Sequence, residues 1–254
     1  HRMTGMYLAI DTSTRYGAVG LWSAGALVRA HSWYSRHNHT SELMPAVEAA
    51  LAASGATMAD LTGIAVAQGP GGFSALRSGL GAAKGLAFAA NLPVVGVSTV
   101  EASAYPHRGA GLPVCALIES GRGIVGWARF QLSGDGQGAT WARRTPDRVT
   151  SLDAMLTARG RHTLFCGEGV ATHADAIREA LGDKAHLAIE PAPLSRIAGV
   201  AELGAIRLDA GDADPVASLA PRYLRSPAIT APNPPKAIIQ ASHAGRSRAG
   251  RTQA

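Results

Sequence analysis

An apolar run, Ile64-Ala-Val-Ala67, opens directly into Gln68-Gly69-Pro70-Gly71-Gly72-Phe73-Ser74, and a segment of helical period follows to about Ala90. A buried strand, a glycine bend and a helix N-terminus in that order leave little choice of fold class. The strand must pair in a sheet, and the helix must pack back on that sheet within a few residues. The same geometry gathers backbone N–H groups at the positive end of a helix dipole, where an anion is favoured. The bend is not a Walker loop, because no Gly-Lys-Ser/Thr closes it. It also falls one residue short of G-x-G-x-x-G, since Ser74 stands where the third glycine belongs. Generic phosphate motifs therefore do not account for it.

Around this centre the first half reads as a meander followed by alternating helices and strands. Strands are expected at Met6–Ile10, Tyr16–Trp22 and Ala26–Ser32, and a helix at Ser41–Ser54 with Pro45 early in it. Leu61–Ala67 is the next strand. After the glycine bend and its helix come a strand at Val94–Val97 and a short helix capped by Ser98 or Thr99 and ending at Tyr105. Pro106–Gly111 marks a boundary. The second half repeats the order: strands at 113–119, 124–132 and 139–144, a helix at 151–159, a strand at 162–166, the turn Gly167-Glu168-Gly169, and helices at 171–181 and 195–210. The expected class is mixed α/β in two related lobes, residues 6–105 and 112–227, followed by a tail at 228–254.

Charge narrows the possibilities. The tail holds Lys236, Arg246, Arg248 and Arg251 and no acidic residue, so of the formal +6 the rest of the chain carries only +2. The tail is rich in Pro, Ala and Ser and is expected to be disordered, either solvated or touching RNA electrostatically. No apolar stretch approaches the length that spans a bilayer. No basic-then-apolar leader is present, so a cytoplasmic location is expected. His1-Arg2 ahead of Met3 reads as a cloning remnant, with Met3 or Met6 the expected natural start. Cys115 and Cys166 lie in strand-like runs and read as small buried hydrophobes.

Asp11-Thr12-Ser13-Thr14 follows the first strand. A carboxylate and three hydroxyls at such a turn suit ligation of Mg²⁺ and phosphate oxygens. They equally suit a turn whose side chains bond local amides. With Gly69, Gly71 and Gly72 these residues form the candidate nucleotide site. In the second helix, Gly79, Gly81 and Gly85 each cost about 1 kcal/mol relative to alanine. Leu76, Leu80, Ala83 and Ala87 fall on an apolar face, and Ser78, Ala82 and Gly85 form a strip of small residues. Arg77 and Lys84 lie one heptad apart and suit partner carboxylates. Packing within the domain and docking of a partner both fit this pattern. His37 and His39 have no third ligand placed by the sequence, His162 and His173 stand alone, and no metal site is expected.

The quoted segments resemble one family. Ala9-Ile-Asp-Thr-Ser-Thr14, Gly69-Pro-Gly-Gly-Phe-Ser-Ala-Leu-Arg-Ser-Gly-Leu80, Ala83-Lys-Gly-Leu86 and Gly96-Val-Ser-Thr-Val-Glu-Ala102 look like the bacterial TsaB family, also called YeaZ. So do His39-Thr-Ser-Glu-Leu-Met-Pro45 and Pro221-Arg-Tyr-Leu-Arg-Ser-Pro227. The resemblance implies the actin-like ATPase fold. It implies a part in placing threonylcarbamoyl on the tRNA adenosine next to the anticodon. It also implies a role as non-catalytic partner of the related enzyme TsaD, with TsaE in a larger complex. It further implies a homodimer when the chain is alone and only indirect contact with tRNA, and no membrane partner is expected. The first two helices would be the docking surface, with His39, Leu43, Val47, Leu76, Arg77, Leu80, Ala83, Lys84 and Ala87 as its residues. TsaD carries a His-x-x-x-His metal pair on the short helix after its Gly-Val strand; here Thr99 and Ser103 stand in those places, and hydroxyls are poor ligands for a transition metal. No cofactor is required on this reading, and ATP or ADP would bind weakly at most. Two enzymatic alternatives stay open: an ATP-dependent phosphotransferase using Asp11 and the glycine loop, and a metallopeptidase-like glycoprotease homologue.

Overall fold

The computed structural model describes residues 5–120, 123–134, 138–157, 161–189 and 192–223. The expected basic tail lies outside them. Strands β1 (Met6–Asp11), β2 (Tyr16–Ser23) and β3 (Ala26–Tyr34) form the meander, and α1 (His39–Ala52) follows. Then come β4 (Gly63–Gly69), α2 (Phe73–Ala90), β5 (Val94–Ser98) and α3 (Thr99–Ala104). The first sheet has the order β3-β2-β1-β4-β5, with β1, β4 and β5 parallel.

Period-two alternation divides this sheet between two cores. Leu8, Ile10, Ile64 and Val66 point to one face, where Leu43, Val47, Leu76 and Leu80 of α1 and α2 cover them. Tyr7, Ala9, Ala65 and Ala67 point to the other. Ala9, Ala18, Ala65 and Ala67 keep part of that second face low, so a helix can lie almost on the backbone of the sheet there. The helix that does so is α6 (Ala192–Asp209), whose Ile197, Val200, Ala201 and Ala205 complete the core. A Cβ added at Gly204 would lie 2.2 Å from the Ala65 methyl, and one at Gly199 would lie 2.0 Å from the carbonyl oxygen of Ala102 in α3.

The second sheet runs β11-β10-β6-β7-β8, with β9 also paired to β7. Its strands are β6 (Val114–Glu119), β7 (Ile124–Ser133), β8 (Thr140–Arg143), β9 (Arg148–Ser151), β10 (Thr163–Cys166) and β11 (Ala185–Leu187). Helices α4 (Leu152–Leu156) and α5 (Glu168–Leu181) cover one face, where Met155, Val170 and Ile177 pack on Leu117 and Trp127. Val100 and Ala104 of α3 pack on the other, against Val114, Ala116 and Phe130. Buried α3 is therefore shared by the two lobes.

Several expectations change. The helix expected at 195–210 does not stay with the second sheet. It crosses back to the first, and residues 214–222 follow it there through Asp214 N–H to Val94 O and Arg222 N–H to Gln68 O, at 2.9 and 2.8 Å. The two lobes are therefore not two consecutive stretches of chain. Pro45 sits in the second turn of α1, which begins at His39 rather than Ser41. Strands β9 and β11 are short and had no pattern long enough to be seen.

Cys115 and Cys166 are fully buried and unbridged. Burial pushes the Cys115 thiol up to about 12, against the pull of nearby Arg129. The folded protein is expected to leave a thiol-exchange reagent unreacted at pH 8, and to release both thiols in urea. Rapid reaction of the native protein would contradict this burial.

Candidate functional site

β1 and β4 are parallel neighbours in the first sheet and β10 lies in the second, and the turns that follow the three strands meet. Ligands of open α/β sheets settle at this edge. Asp11, Thr12, Ser13 and Thr14 are all buried there. The Ser13 amide donates to Asp11 Oδ1 at 2.8 Å, and Arg196 Nε of α6 donates to Asp11 Oδ2 at 2.5 Å. The guanidinium continues outward: Nη2 donates to Thr14 Oγ1 at 3.1 Å, and Nη1 to Glu168 Oε2 at 3.2 Å. Thr14 Oγ1 itself donates to Glu168 Oε2 at 2.9 Å. Arg196 has no solvent exposure. Burial works against its charge, but Asp11 and then Glu168 outweigh it, so the guanidinium is held protonated well above its ordinary range.

This arrangement gives the candidate nucleotide residues another role. Both carboxylate oxygens of Asp11 are engaged within the chain, and a metal ion at that carboxylate would have to displace a buried ion pair. The glycine loop closes on the same turn. Gly72 N–H donates to Ser13 O at 2.7 Å, and Thr12 Oγ1 donates to Ala75 O at 2.6 Å. A Cβ on Gly71 would lie 2.3 Å from Ser13 O, and one on Gly69 would lie 2.7 Å from Arg222 O. Gly69 also holds φ at +117°, which favours glycine. At Gly69 and Gly71 the missing side chain thus lets this chain pack on itself. Gly167, at φ +90° with Leu117 O 2.4 Å from a would-be Cβ, turns β10 into α5 and places Glu168 at that helix's first position.

At the positions that matched the metal pair, Ser103 Oγ donates back to Thr99 O at 2.9 Å, a helical back-bond, and both residues are buried. Among the described residues, no three His, Cys, Asp or Glu side chains come together as metal ligands. His162 and His173 are less isolated than the sequence suggested. His162 Nδ1 lies 3.1 Å from His186 Nε2, and His173 Nε2 lies 2.9 Å from Glu119 Oε1.

The helix positions need a larger correction. Leu43, Val47, Leu76, Leu80, Ala83 and Ala87 are buried in the first core, and of these six Leu43 alone also borders the space between the outward sides of α1 and α2. The apolar face chosen by periodicity is the one that meets the sheet. His39 is buried as well, and its Nε2–H donates to Thr14 O at 2.8 Å. Arg77 and Lys84 are engaged by residues 217–223. Arg77 Nε donates to the Tyr223 hydroxyl at 2.9 Å with its guanidinium 3.8 Å over the Phe73 ring, and Lys84 Nζ donates to Leu219 O at 3.1 Å. Tyr223 stacks on Phe73 at 4.8 Å.

The outward side of α1 and α2 forms an open apolar groove of about 610 Å³, with Thr40 and Met44 on one wall and Gly81, Ala82, Gly85 and Leu86 on the other. The strip of Ser78, Ala82 and Gly85 singled out in the sequence lies along it. Phe88, 84% exposed, follows on the same helix. A Cβ on Gly79 would meet Thr12 Oγ1 at 2.4 Å, but one on Gly81 or Gly85 would meet nothing within 4 Å. The first of these glycines is needed by the fold and the other two are not.

Comparison with known proteins follows from this geometry. Residues 33–232 match the family model described as TsaD: tRNA N6-adenosine threonylcarbamoyltransferase. The chain is 38% identical over 131 residues to the tRNA threonylcarbamoyladenosine biosynthesis protein TsaB of Escherichia coli, an alignment covering 51% of this chain and 56% of that protein. It is 29% identical over 221 residues to TsaB of Bacillus subtilis, covering 86% and 93%. Among solved structures, YeaZ from Pseudomonas aeruginosa superposes with a TM-score of 0.67 at 25% identity, covering 87% of this chain and all of that one. The architecture is the actin-like ATPase fold, two mixed sheets flanked by helices.

Proposed function

Because the chain belongs to the TsaB (YeaZ) family, within the wider tRNA N6-adenosine threonylcarbamoyltransferase family, we propose that it serves tRNA threonylcarbamoyladenosine biosynthesis as a non-catalytic subunit. Its groove between α1 and α2 docks the related enzyme TsaD, and takes a second copy of this chain when TsaD is absent. The observation that carries this reading is the pair Gly81 and Gly85. Each weakens α2 by about 1 kcal/mol relative to alanine, and neither is needed by anything packed against it among the described residues. Glycine on an exposed helix face lets the backbone of another helix come close. The half-buried Met44 and Leu86 and the exposed Phe88 supply apolar area beside it.

The engaged oxygens of Asp11 support a role without phosphoryl transfer, and the hydroxyls at Thr99 and Ser103 support one without the relative's metal chemistry. No observation favours the phosphotransferase or peptidase alternative.

The test is Gly85→Glu. The site is open, and glutamate is the better helix former by about 0.5 kcal/mol, so the isolated chain is expected to fold with equal or higher thermal stability. Its association with purified TsaD, followed by titration calorimetry, is expected to weaken at least tenfold. Association within twofold of the parent would overturn the groove as the docking surface. Leu80→Glu is unsuited to this purpose, because a charge there enters the core.

A further inference from the structure

The turn Asp11–Thr14 touches more of the molecule than its length suggests. Asp11 and Thr14 bond Arg196 of α6, and Thr14 bonds Glu168 at the start of α5. Thr14 O accepts from His39, the first residue of α1. Ser13 O accepts from Gly72, the residue that caps α2, and Thr12 bonds Ala75 O in the first turn of α2. Four residues thus tie the closing of the two lobes to the entry points of both groove helices. We infer that Arg196 is a positioning residue: by pinning the Asp11–Thr14 turn between the lobes, it sets where α1 and α2 begin and so the width of the groove between them.

Three features make the pin directional. Arg196 uses Nε, Nη1 and Nη2 on three different acceptors, so its planar fork fixes the turn in orientation as well as in distance. Its acceptors come from both lobes, Asp11 and Thr14 from the first and Glu168 from the second. The hydrogen bonds from the turn to the helices all fall on their first residues, and no others back them up there: His39 Nδ1 and Ser13 Oγ are buried without hydrogen-bond partners among the described residues. Among the described residues α1 is hydrogen-bonded to the turn through His39 Nε2 alone, and a shift of the turn is passed to the helices rather than absorbed.

The test uses Arg196→Lys, which keeps a cation beside Asp11 but cannot hold three acceptors in one plane. Hydrogen exchange on the full chain reads the result. Amides of Gly72–Leu76 and Ser41–Leu43 are expected to exchange about tenfold faster, the scale of a typical coupling between sites, while Ile64–Val66 in the core of the first sheet keep their protection. Glu168→Gln, which removes one acceptor's charge, is expected to give the same pattern more weakly. Acceleration spread evenly over the chain, or confined to α5 and α6, would overturn the inference. So would loss of the whole fold in both variants, since the side chain would then hold the protein together without positioning these helices. The consequence for partner binding rests on the docking role proposed for the groove. If Gly85→Glu leaves association intact while the exchange pattern holds, the docking reading fails and the pin stands; if the exchange pattern is missing, the pin fails whatever the partner does.

Discussion

Asp11→Ala is expected to destabilise the folded protein by about 3–5 kcal/mol, the range for breaking a buried ion pair from one side. Arg196 is wholly buried, and Asp11 is its closest carboxylate. Alanine would leave a guanidinium away from water with Glu168 and Thr14 as its only acceptors among the described residues. Domains are held by roughly 5–15 kcal/mol in all, so a drop in melting temperature of about 10 °C is expected for a chain of this size. Asp11→Asn keeps an acceptor for the Ser13 amide and removes the charge, and should fall between. The triple variant Asp11→Leu, Arg196→Met and Glu168→Gln removes all three charges of the cluster and should recover most of the loss, because buried ionic groups replaced together are often neutral. Thermal unfolding at neutral pH reads each of these variants. A melting temperature for Asp11→Ala within 2 °C of the parent, taking about 2–4 °C per kcal/mol, would show that the pair is not formed in solution.

Gly199→Ala and Gly85→Ala are expected to move stability in opposite directions, although each adds one methyl group to a helix. At Gly85 the methyl meets open space and removes a helix penalty, for a gain of about 0.5–1 kcal/mol. At Gly199 it would lie 2.0 Å from Ala102 O and 2.9 Å from Ala102 Cα. Those atoms are backbone of α3, which is itself held between the two lobes, so neither side gives way without moving a second core. Overpacking of this kind typically costs about 1–3 kcal/mol, and more where backbone must shift. The expected loss for Gly199→Ala is about 3 kcal/mol, read as the urea midpoint at unchanged slope. A midpoint equal to the parent's would mean that α6 rides further from α3 than the fold described here.

Element types were legible because they are written locally. The alternation of Leu8 and Ile10 with Tyr7 and Ala9, the helical spacing of Leu76, Leu80, Ala83 and Ala87, and the cap at Ser98 each depend on neighbours a few residues away. The motifs at Asp11–Thr14, Gly69–Leu80 and Gly96–Ala102 carried the resemblance, and the actin-like fold came with it. The face of a helix was not legible in the same way. Periodicity says that Leu43, Val47 and Leu80 lie on an apolar stripe, but a stripe meets a sheet or a partner equally well by pattern alone. The groove side was marked instead by Gly81 and Gly85, and only the coordinates separate them from Gly79, whose reason is Thr12.

The amino-acid sequence on its own determined the two-part α/β class, the glycine bend, the buried cysteines and the hydroxyls at Thr99 and Ser103, because hydrophobic period and side-chain chemistry act over one turn or one strand. Tertiary structure alone decided what Asp11 does. Its partner Arg196 lies 185 residues away on a helix that returns from the second half of the chain to the first sheet. No local pattern announces such a contact: α6 can lie there only because Ala9, Ala65 and Ala67 leave the far face of that sheet low enough to receive Gly204.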